Sequence, residues 1–402
     1  MNKRSVVSYT LDQCVKCLKC VKACPSSALS MIDNRIIVSD ERCLNCGKCI
    51  SACHNKGLLA PGSTLSDIDN YDYTVCMVPS ALTSNCASKA EAEQLFHAIK
   101  LLGFDEVVDI SAVEGAVMNE NYRLADELSS TSVIASFCPV INRLIEYNYP
   151  MLLNHLAPLN YPSEIAAKMI RERLKDHGKV GIFNLCECEA RLELAKYPYG
   201  NDQFETDHAL ATVDILPDIQ RNMETGSQPL SLSRRGLQSC NPALMKQRPD
   251  YLIADGFDKS ISILDLAEFD LLKSFKLLYL FPCFNGCVGG HLLFGNSYLA
   301  RNNIHELVDL HNDNEIEIPF EYLYTEETAI TKEEKTSFIE KVNFFNKVNE
   351  QLELLPGYDC SACGMKTCRI MAEEIVKGNR QLIDCRILAA IKEDPHEHKK
   401  SD

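Results

Sequence analysis

The chain reads as an α/β central domain with a small α+β module before it and a small cysteine-rich module after it. Three observations predict this. Between residues 70 and 325 short apolar runs of strand type alternate with helix-type stretches, the rhythm of a mostly parallel sheet. At both ends of the chain cysteines at two- and three-residue spacing take over. Late in the α/β part, the strand-like run Leu277–Phe281 empties into Pro282-Cys283-Phe-Asn-Gly-Cys287-Val-Gly-Gly290. Strands end this way where backbone approaches a bulky ligand, because glycine alone leaves room for it.

Composition narrows the class. The 402 residues are 46% hydrophobic and 24% charged, an ordinary globular balance with room for two or three domains. No run of 18 apolar residues predicts a membrane helix. The opening residues carry no apolar signal core, so a cytoplasmic location is expected. In that reducing compartment twenty cysteines argue for metal rather than disulfides. A net charge of −15 counts against nucleic acid as a partner. Residues 1–60 nevertheless carry nine Lys/Arg against four Asp/Glu. Lys16, Lys19, Lys22 and Lys48 either offset the negative charge of thiolate-bound metal or dock an acidic redox partner.

In chain order, residues 1–60 hold Cys14-x2-Cys17-x2-Cys20-x3-Cys24-Pro25 and, repeated, Cys43-x2-Cys46-x2-Cys49-x3-Cys53. This is the run of bacterial two-cluster ferredoxins, in which the fourth cysteine of each run serves the other cluster. One 4Fe–4S cluster then takes Cys14, Cys17, Cys20 and Cys53; the other takes Cys43, Cys46, Cys49 and Cys24. Zinc is the rival reading of any Cys-x2-Cys pair. Residues 28–38 between the runs predict a hairpin turning at Asp33-Asn34. Residues 55–70 are rich in Gly, Pro, Ser, Thr and Asp and predict a linker.

Strands are expected at Tyr73–Val78, Glu106–Ile110, Ser132–Ala135, Val180–Leu185, Ala211–Ile215 and Leu277–Leu280, with helices at Ala90–Leu102 and Pro162–Lys175. Ligands of such a sheet gather at the strands' carboxyl ends. Three of those ends carry cysteine: Phe137-Cys138-Pro139, Cys186-Glu187-Cys188, and Cys283 with Cys287. Four thiolates from separate strands make a cage for one further cubane cluster.

On these motifs residues 70–325 resemble the catalytic domain of iron-only (FeFe) hydrogenases, nearest the sensory branch of that family. Its signatures are Thr-Ser-Cys-Cys-Pro, Pro-Cys-x-Ala-Lys and Cys-x3-Cys followed by glycines. Ala135-Ser136-Phe137-Cys138-Pro139, Glu187-Cys188-Glu189-Ala190-Arg191 and Cys283–Gly290 are similar to them. The resemblance implies Cys138, Cys188, Cys283 and Cys287 as ligands of a 4Fe–4S cubane, with Cys287 bridging to a diiron unit. Cys186 is the alternative for the second position; Cys188 puts Ala190 and Arg191 in register. Phe137 stands where the family places its proton-passing cysteine, Arg191 replaces a cyanide-contacting lysine with a different donor geometry, and Glu187 replaces a proline. Phe137, Arg191 and Cys287 are thus the candidate catalytic positions, and the departures imply slow hydrogen turnover.

Residues 326–352 predict a connector helix with Phe338, Val342, Phe345 and Val348 along one face. Residues 353–392 carry Cys360-x2-Cys363-Gly-x3-Cys368 and then Cys385, with a helix over Arg369–Lys377 closed by Gly378. This resembles the 4Fe–4S module of the corrinoid iron–sulfur protein and of Rnf-type complexes. Four 4Fe–4S clusters are expected in all, with zinc the rival at the last. Cys76, Cys86 and Cys240 read as small buried apolar residues, and His291 as a side chain behind the site or at the surface rather than a proton relay.

The expected function is a sensory or slow FeFe hydrogenase exchanging electrons with a ferredoxin or another redox protein, or with a separate signalling or oxidoreductase subunit. The alternatives are a non-enzymatic electron-transfer subunit without the diiron unit, and a cluster-assembly factor. The last leaves the Cys360–Cys385 module unexplained.

Overall fold

The computed structural model describes residues 5–128, 132–194, 205–307, 316–325 and 338–393. It forms two compact units. One comprises Met1–Cys43, Lys48–Leu59 and Thr331–Asp402; the other comprises Leu44–Gly47 and Ala60–Ile330.

The first unit opens with the expected hairpin. Strands β1 (Leu29–Ile32) and β2 (Arg35–Val38) pair antiparallel. Asp33 and Asn34 turn it at φ +49° and +61°, the left-handed pair that two-residue hairpin loops require. Ser8–Tyr9 pairs with Leu58–Leu59 across the module, so part of the expected linker is strand. Val7, Val21, Leu29, Ile36 and Leu58 make its small core.

The second unit contains β3 (Tyr73–Val78), β4 (Glu106–Asp109), β5 (Val133–Ile134), β6 (Val180–Cys186), β7 (His208–Ala211), β8 (Tyr251–Asp255) and β9 (Leu277–Phe281). The strands are parallel, as read from the alternation, but they make two sheets rather than one: β4-β3-β6-β7 and β8-β9-β5. Central strands β3 and β9 are apolar on both faces, the pattern of a sheet covered on both sides. Val75 and Met77 of β3 share one core with Tyr279 and Phe281 of β9, which is how the two sheets are joined. Cys76 and Val78 face Phe96, Ile99 and Phe183 in a second core, and Leu278 and Leu280 face Ile141 and Leu144 in a third.

Two strand expectations fail. Residues 211–215 were expected as strand; β7 ends at Ala211 and a helix runs over Thr212–Asn222. Thr212 begins that helix and its hydroxyl donates to the Cys186 carbonyl at 3.0 Å, while Asp214 suits the first turn. Strand β8 was not expected: it is an edge strand, half-buried beyond Tyr251, so no clean alternation marks it. The helix α1 (Ser111–Glu127) meets α2 (Arg234–Ser239) where Gly115 faces Gly236. A Cβ on Gly236 would lie 1.8 Å from the Ser111 carbonyl oxygen, so only glycine permits this crossing.

The C-terminal segment returns to the first unit. Helix α3 (Phe338–Glu353) and helix α4 (Cys368–Val376), stopped by Gly378 at φ +78°, enclose Val348, Leu355, Met365 and Met371. Ile32 of β1 packs into the same core. Residues 353–392, expected as a module apart from 1–60, fall in one unit with residues 1–43 and 48–59. Residues 326–337 of the expected connector lie outside the described residues. Of its apolar stripe Val348 is buried, whereas Val342 and Phe345 are exposed. No helix among the described residues is long and apolar enough to cross a membrane.

One buried acid tests the packing of the second unit. Glu164 accepts from Thr206 Oγ1 at 3.0 Å and from the Glu205 amide at 3.4 Å, and burial pushes its carboxyl up to about 7. A carboxyl raised on folding stabilises fully below its unfolded value near 4.5 and loses that contribution as pH rises through 7. Glu164→Gln should therefore gain on the parent by up to about 3 kcal/mol between pH 5 and 8. Apparent Tm of both proteins across that range is the measurement; parallel curves would refute the burial effect.

Candidate iron–sulfur sites and the hydrogenase-like centre

Each cysteine run is shaped by residues in the left-handed region. Lys16, Leu18 and Ser27 have φ of +58°, +62° and +54°; Asn45, Gly47 and Lys56, at matching places in the second run, have +50°, +71° and +53°. The sequence repeat is thus a backbone repeat, and the non-glycine members carry a strain that only a tightly determined loop sustains. The Cys20 thiol, pushed up to about 11 mainly by burial, has Cys53, Cys14 and Cys17 as its charged-thiol neighbours. Those four are the set assigned by the crossed pattern. Cys24 and Cys43 have donors in place for a thiolate, the Ala28 amide at 3.1 Å and the Ser5 hydroxyl at 3.3 Å. Cys49 is buried beside them in the module core, and Cys46 lies on the Leu44–Gly47 segment of the second unit.

In the C-terminal module Asp359 and Ser361, at φ +46° and +63°, turn the loop around Cys360 and Cys363. Cys363 has Cys385 and Cys360 as thiol neighbours. Cys368 opens α4, its amide held by the Asp359 carboxylate at 2.6 Å, and packs with Cys363 and Cys385.

The second unit gathers its thiols at the ends of three strands. Past β5, Cys138 stands at the N-cap of helix Pro139–Asn148, its carbonyl accepting from the Ile141 and Asn142 amides at 3.1 Å. Past β6, Cys188 precedes the short helix Glu189–Leu194. Past β9, Cys283 and Cys287 flank a tight turn in which Asn285 and Gly286 have φ +62° and +79°. Electrostatics join them: Cys188 feels Cys283 and Cys138, Cys283 feels Cys138 and Cys46, and Cys287 feels Cys138. Burial pushes all four thiols up. Among the described residues no three His, Cys, Asp or Glu side chains close tightly enough for a single metal ion. The donor set fits a larger thiolate-bound group, whose binding releases these protons. Gly289 and Gly290 are part of that fit: a Cβ there would lie 2.1 Å from the Phe284 carbonyl oxygen and 2.3 Å from that of Glu187. Tyr279 Oη and Ser80 Oγ are buried without a hydrogen-bond partner.

Cys186 takes a different place. Its sulfur lies 3.5 Å from Asn184 Nδ2, and the thiol it faces is Cys76. Cys188 thus has Cys283 and Cys138 among its charged neighbours, and Cys186 has Cys76. Phe137, 2% exposed, stacks at a tilt on Tyr279 and Phe281 with ring centroids 5.9 and 6.5 Å away. The Arg191 guanidinium lies 5.4 Å from the Phe137 ring, donates to the Phe137 carbonyl at 3.2 Å and pairs with Glu187 at 3.3 Å. His291 Nδ1 is 3.6 Å from the buried Glu189 carboxylate.

Glu114 and Cys240 also border this site, beyond the residues expected from the sequence. Glu114 accepts from the Ser80 amide at 3.0 Å and is pushed up to about 8, chiefly by burial, with Glu187 and Arg191 as its charged neighbours. An acid inside the apolar run Val113–Val117 was the available signal. The Cys240 carbonyl accepts from the Cys287 amide at 2.8 Å, so this buried cysteine braces the turn; nothing local in its sequence marks it.

The assignment predicts a selective loss. Cys188→Ser should remove about four irons from anaerobically reconstituted protein and Cys186→Ser none. Iron and acid-labile sulfide quantification distinguishes them, and equal losses would overturn the choice.

Residues 73–222 match the family model described as iron only hydrogenase large subunit, C-terminal domain. That match includes Cys138 and Cys188 and ends before Cys283 and Cys287. Residues 6–54 match a 4Fe-4S dicluster domain, and residues 355–387 match a model described as "Putative Fe-S cluster". No curated protein matches the chain. Among solved structures, the FeFe-hydrogenase HydA(deltaEFG), described in connection with stepwise H-cluster assembly, is 15% identical. It covers 63% of this chain and 89% of its own at a TM-score of 0.48. A variant of FeFe-hydrogenase HydA1 from Chlamydomonas reinhardtii is 14% identical over 63% and 90%, with a TM-score of 0.46. The chain is an iron–sulfur protein, iron-only-hydrogenase-like in its central domain and carrying an iron–sulfur module on either side of it.

Proposed function

We propose that this protein relays electrons between 4Fe–4S clusters and a hydrogenase-type site, in the manner of a sensory or slow FeFe hydrogenase. Its clusters would be held by Cys14/Cys17/Cys20/Cys53, by Cys24/Cys43/Cys46/Cys49, by Cys138/Cys188/Cys283/Cys287 and by Cys360/Cys363/Cys368/Cys385. A ferredoxin or another redox protein is the expected electron partner. A diiron unit on Cys287, when bound, supplies the centre at which hydrogen is made or split.

The observation that carries the reading is the environment of Phe137. Four thiols converge, yet the residue next to Cys138 is an aromatic ring sealed by Tyr279, Phe281 and Arg191. A phenyl ring carries no proton, and its packing keeps water from substituting for one. Arg191 fixes the other side: its charge is shared with Glu187 through Nε, and its Nη2 donates to the Phe137 carbonyl. That engagement favours, as the second reading, an electron-transfer subunit that holds the cubane alone.

Infrared spectra of protein made with the hydrogenase maturation machinery separate the two. CO and CN stretching bands are expected; cluster-replete protein without them supports the second reading. In diiron-loaded protein, Phe137→Cys should raise hydrogen turnover at least ~10-fold, the low end for a positioned proton donor. The truncation leaves a cavity worth about 3 kcal/mol, so folding is checked alongside. Folded, loaded variant no faster than the parent would show that proton delivery is not limiting.

A further inference from the structure

The two flanking iron–sulfur modules share one unit, and the contacts that join them are concentrated on one side of the N-terminal module. Met31 lies on β1, the open edge of a two-stranded hairpin. Its amide donates to the Gly364 carbonyl at 2.8 Å, so the loop between Cys363 and Cys368 satisfies that edge. Gly364 must be glycine twice over: its φ is +87°, and a Cβ would lie 2.1 Å from the Met31 carbonyl oxygen. The Arg380 guanidinium donates to that same carbonyl at 3.2 Å. Two residues further along the loop, Lys366 Nζ donates to the Cys24 carbonyl at 2.6 Å. Across the hairpin, Arg42, next to Cys43, reaches Glu373 at 3.3 Å and Glu374 at 3.8 Å on α4.

These anchors are not spread evenly. They fall on Cys24, on the β1 edge that follows it, and on Arg42 beside Cys43. None of the contacts named here falls on Cys14, Cys17, Cys20 or Cys53. The loop that carries two C-terminal cysteines therefore lies against backbone belonging to the Cys24/Cys43 ligand set. Of the seam's cations, Lys366 has its amine on the carbonyl of a residue assigned as ligand. A hydrogen bond from a charged amine polarises that peptide and places positive charge beside the thiolate. That favours the reduced, more negative state of the group the thiolate would hold.

We propose that the C-terminal cysteine module is docked as the electronic neighbour of the Cys24/Cys43/Cys46/Cys49 site. In this arrangement Lys366 is a positioning residue that both fixes the contact and raises the reduction potential of that site. The proposal rests on the reading that both cysteine sets hold 4Fe–4S clusters. It specifies the order in which they stand: the C-terminal site next to the Cys24 site, the Cys14 site beyond. Transfer between them moves one electron and no proton, oxidising one cluster and reducing the other, with any low-potential one-electron carrier as source.

The test uses the full-length, anaerobically reconstituted protein and electron paramagnetic resonance, which needs no hydrogen turnover. In the reduced parent the Cys24-set cluster should show a part of its spin–spin coupling that Cys360→Ser removes, while coupling to the Cys14-set cluster stays. Lys366→Met should lower the potential of the Cys24-set cluster by about tenfold in the one-electron equilibrium, some 59 mV. Lys366→Arg, which keeps the charge, should restore most of it. Glu373→Lys combined with Glu374→Lys, which sets like charge against Arg42 and replaces no ligand, should reduce the Cys360-dependent part while the iron content stays at the parent's level. Unchanged potential in Lys366→Met, or Cys360-dependent coupling unchanged in the iron-replete double variant, would overturn the proposal. So would a Cys360-dependent coupling lost on removing the Cys14-set ligands rather than the Cys24-set ones. Iron content too low for the last site would instead refute the four-cluster reading beneath it, and the hydrogenase reading is decided separately by the infrared bands.

Discussion

Around the candidate hydrogenase-like centre the thiols of Cys138, Cys188 and Cys287 and the carboxyl of Glu114 all sit in the field of one guanidinium, that of Arg191. Four thiolates converging out of water repel one another unless something positive stands nearby. A metal group supplies most of that charge; the chain itself supplies Arg191. Glu187 then takes up part of it, and an uncompensated buried carboxylate there would cost about 3–5 kcal/mol. Arginine rather than lysine suits the place, because one planar group can face Phe137, pair with Glu187 and donate to a carbonyl at the same time.

The fold delivers those groups by a simple device. Parallel strands bring their carboxyl ends to one side, and each strand is followed at once by a turn or a helix start that fixes a cysteine. The carbonyls of Cys138 and Cys188 each accept from amides of the helix that follows, and Cys287 lies in the glycine turn braced by Cys240. The apolar contact between β3 and β9 through Met77, Tyr279 and Phe281 keeps the two sheets in register with each other. Position at this site is thus set by core packing, not by the loops alone.

Much of this was legible because the signals are local. A doubled Cys-x2-Cys-x2-Cys-x3-Cys run declares its chemistry within eleven residues, and apolar runs ending in cysteine declare a strand-end site. What was hidden depends on neighbours distant in sequence. Strand β8 is held by pairing to β9 rather than by its own pattern. Residues 211–215 are apolar enough for either state, and the Thr212–Cys186 contact decides for helix. The union of the end modules rests on Lys366 and Cys24, which are 342 positions apart.

That separation makes the α/β stretch a sequence insertion between the two halves of one unit. During synthesis the N-terminal half leaves the ribosome first. At roughly 5–20 residues per second its partner loop follows some 20–70 s later. Through that interval the β1 edge at Met31 waits with its amide unpaired, an open strand able to accept another chain. The brevity of that strand, four residues ending at Ile32, limits the exposure. A broken chain would differ from most two-domain proteins in the same way: a cut between the halves would leave them held to each other by Gly364, Lys366, Arg380 and Arg42 rather than by the peptide.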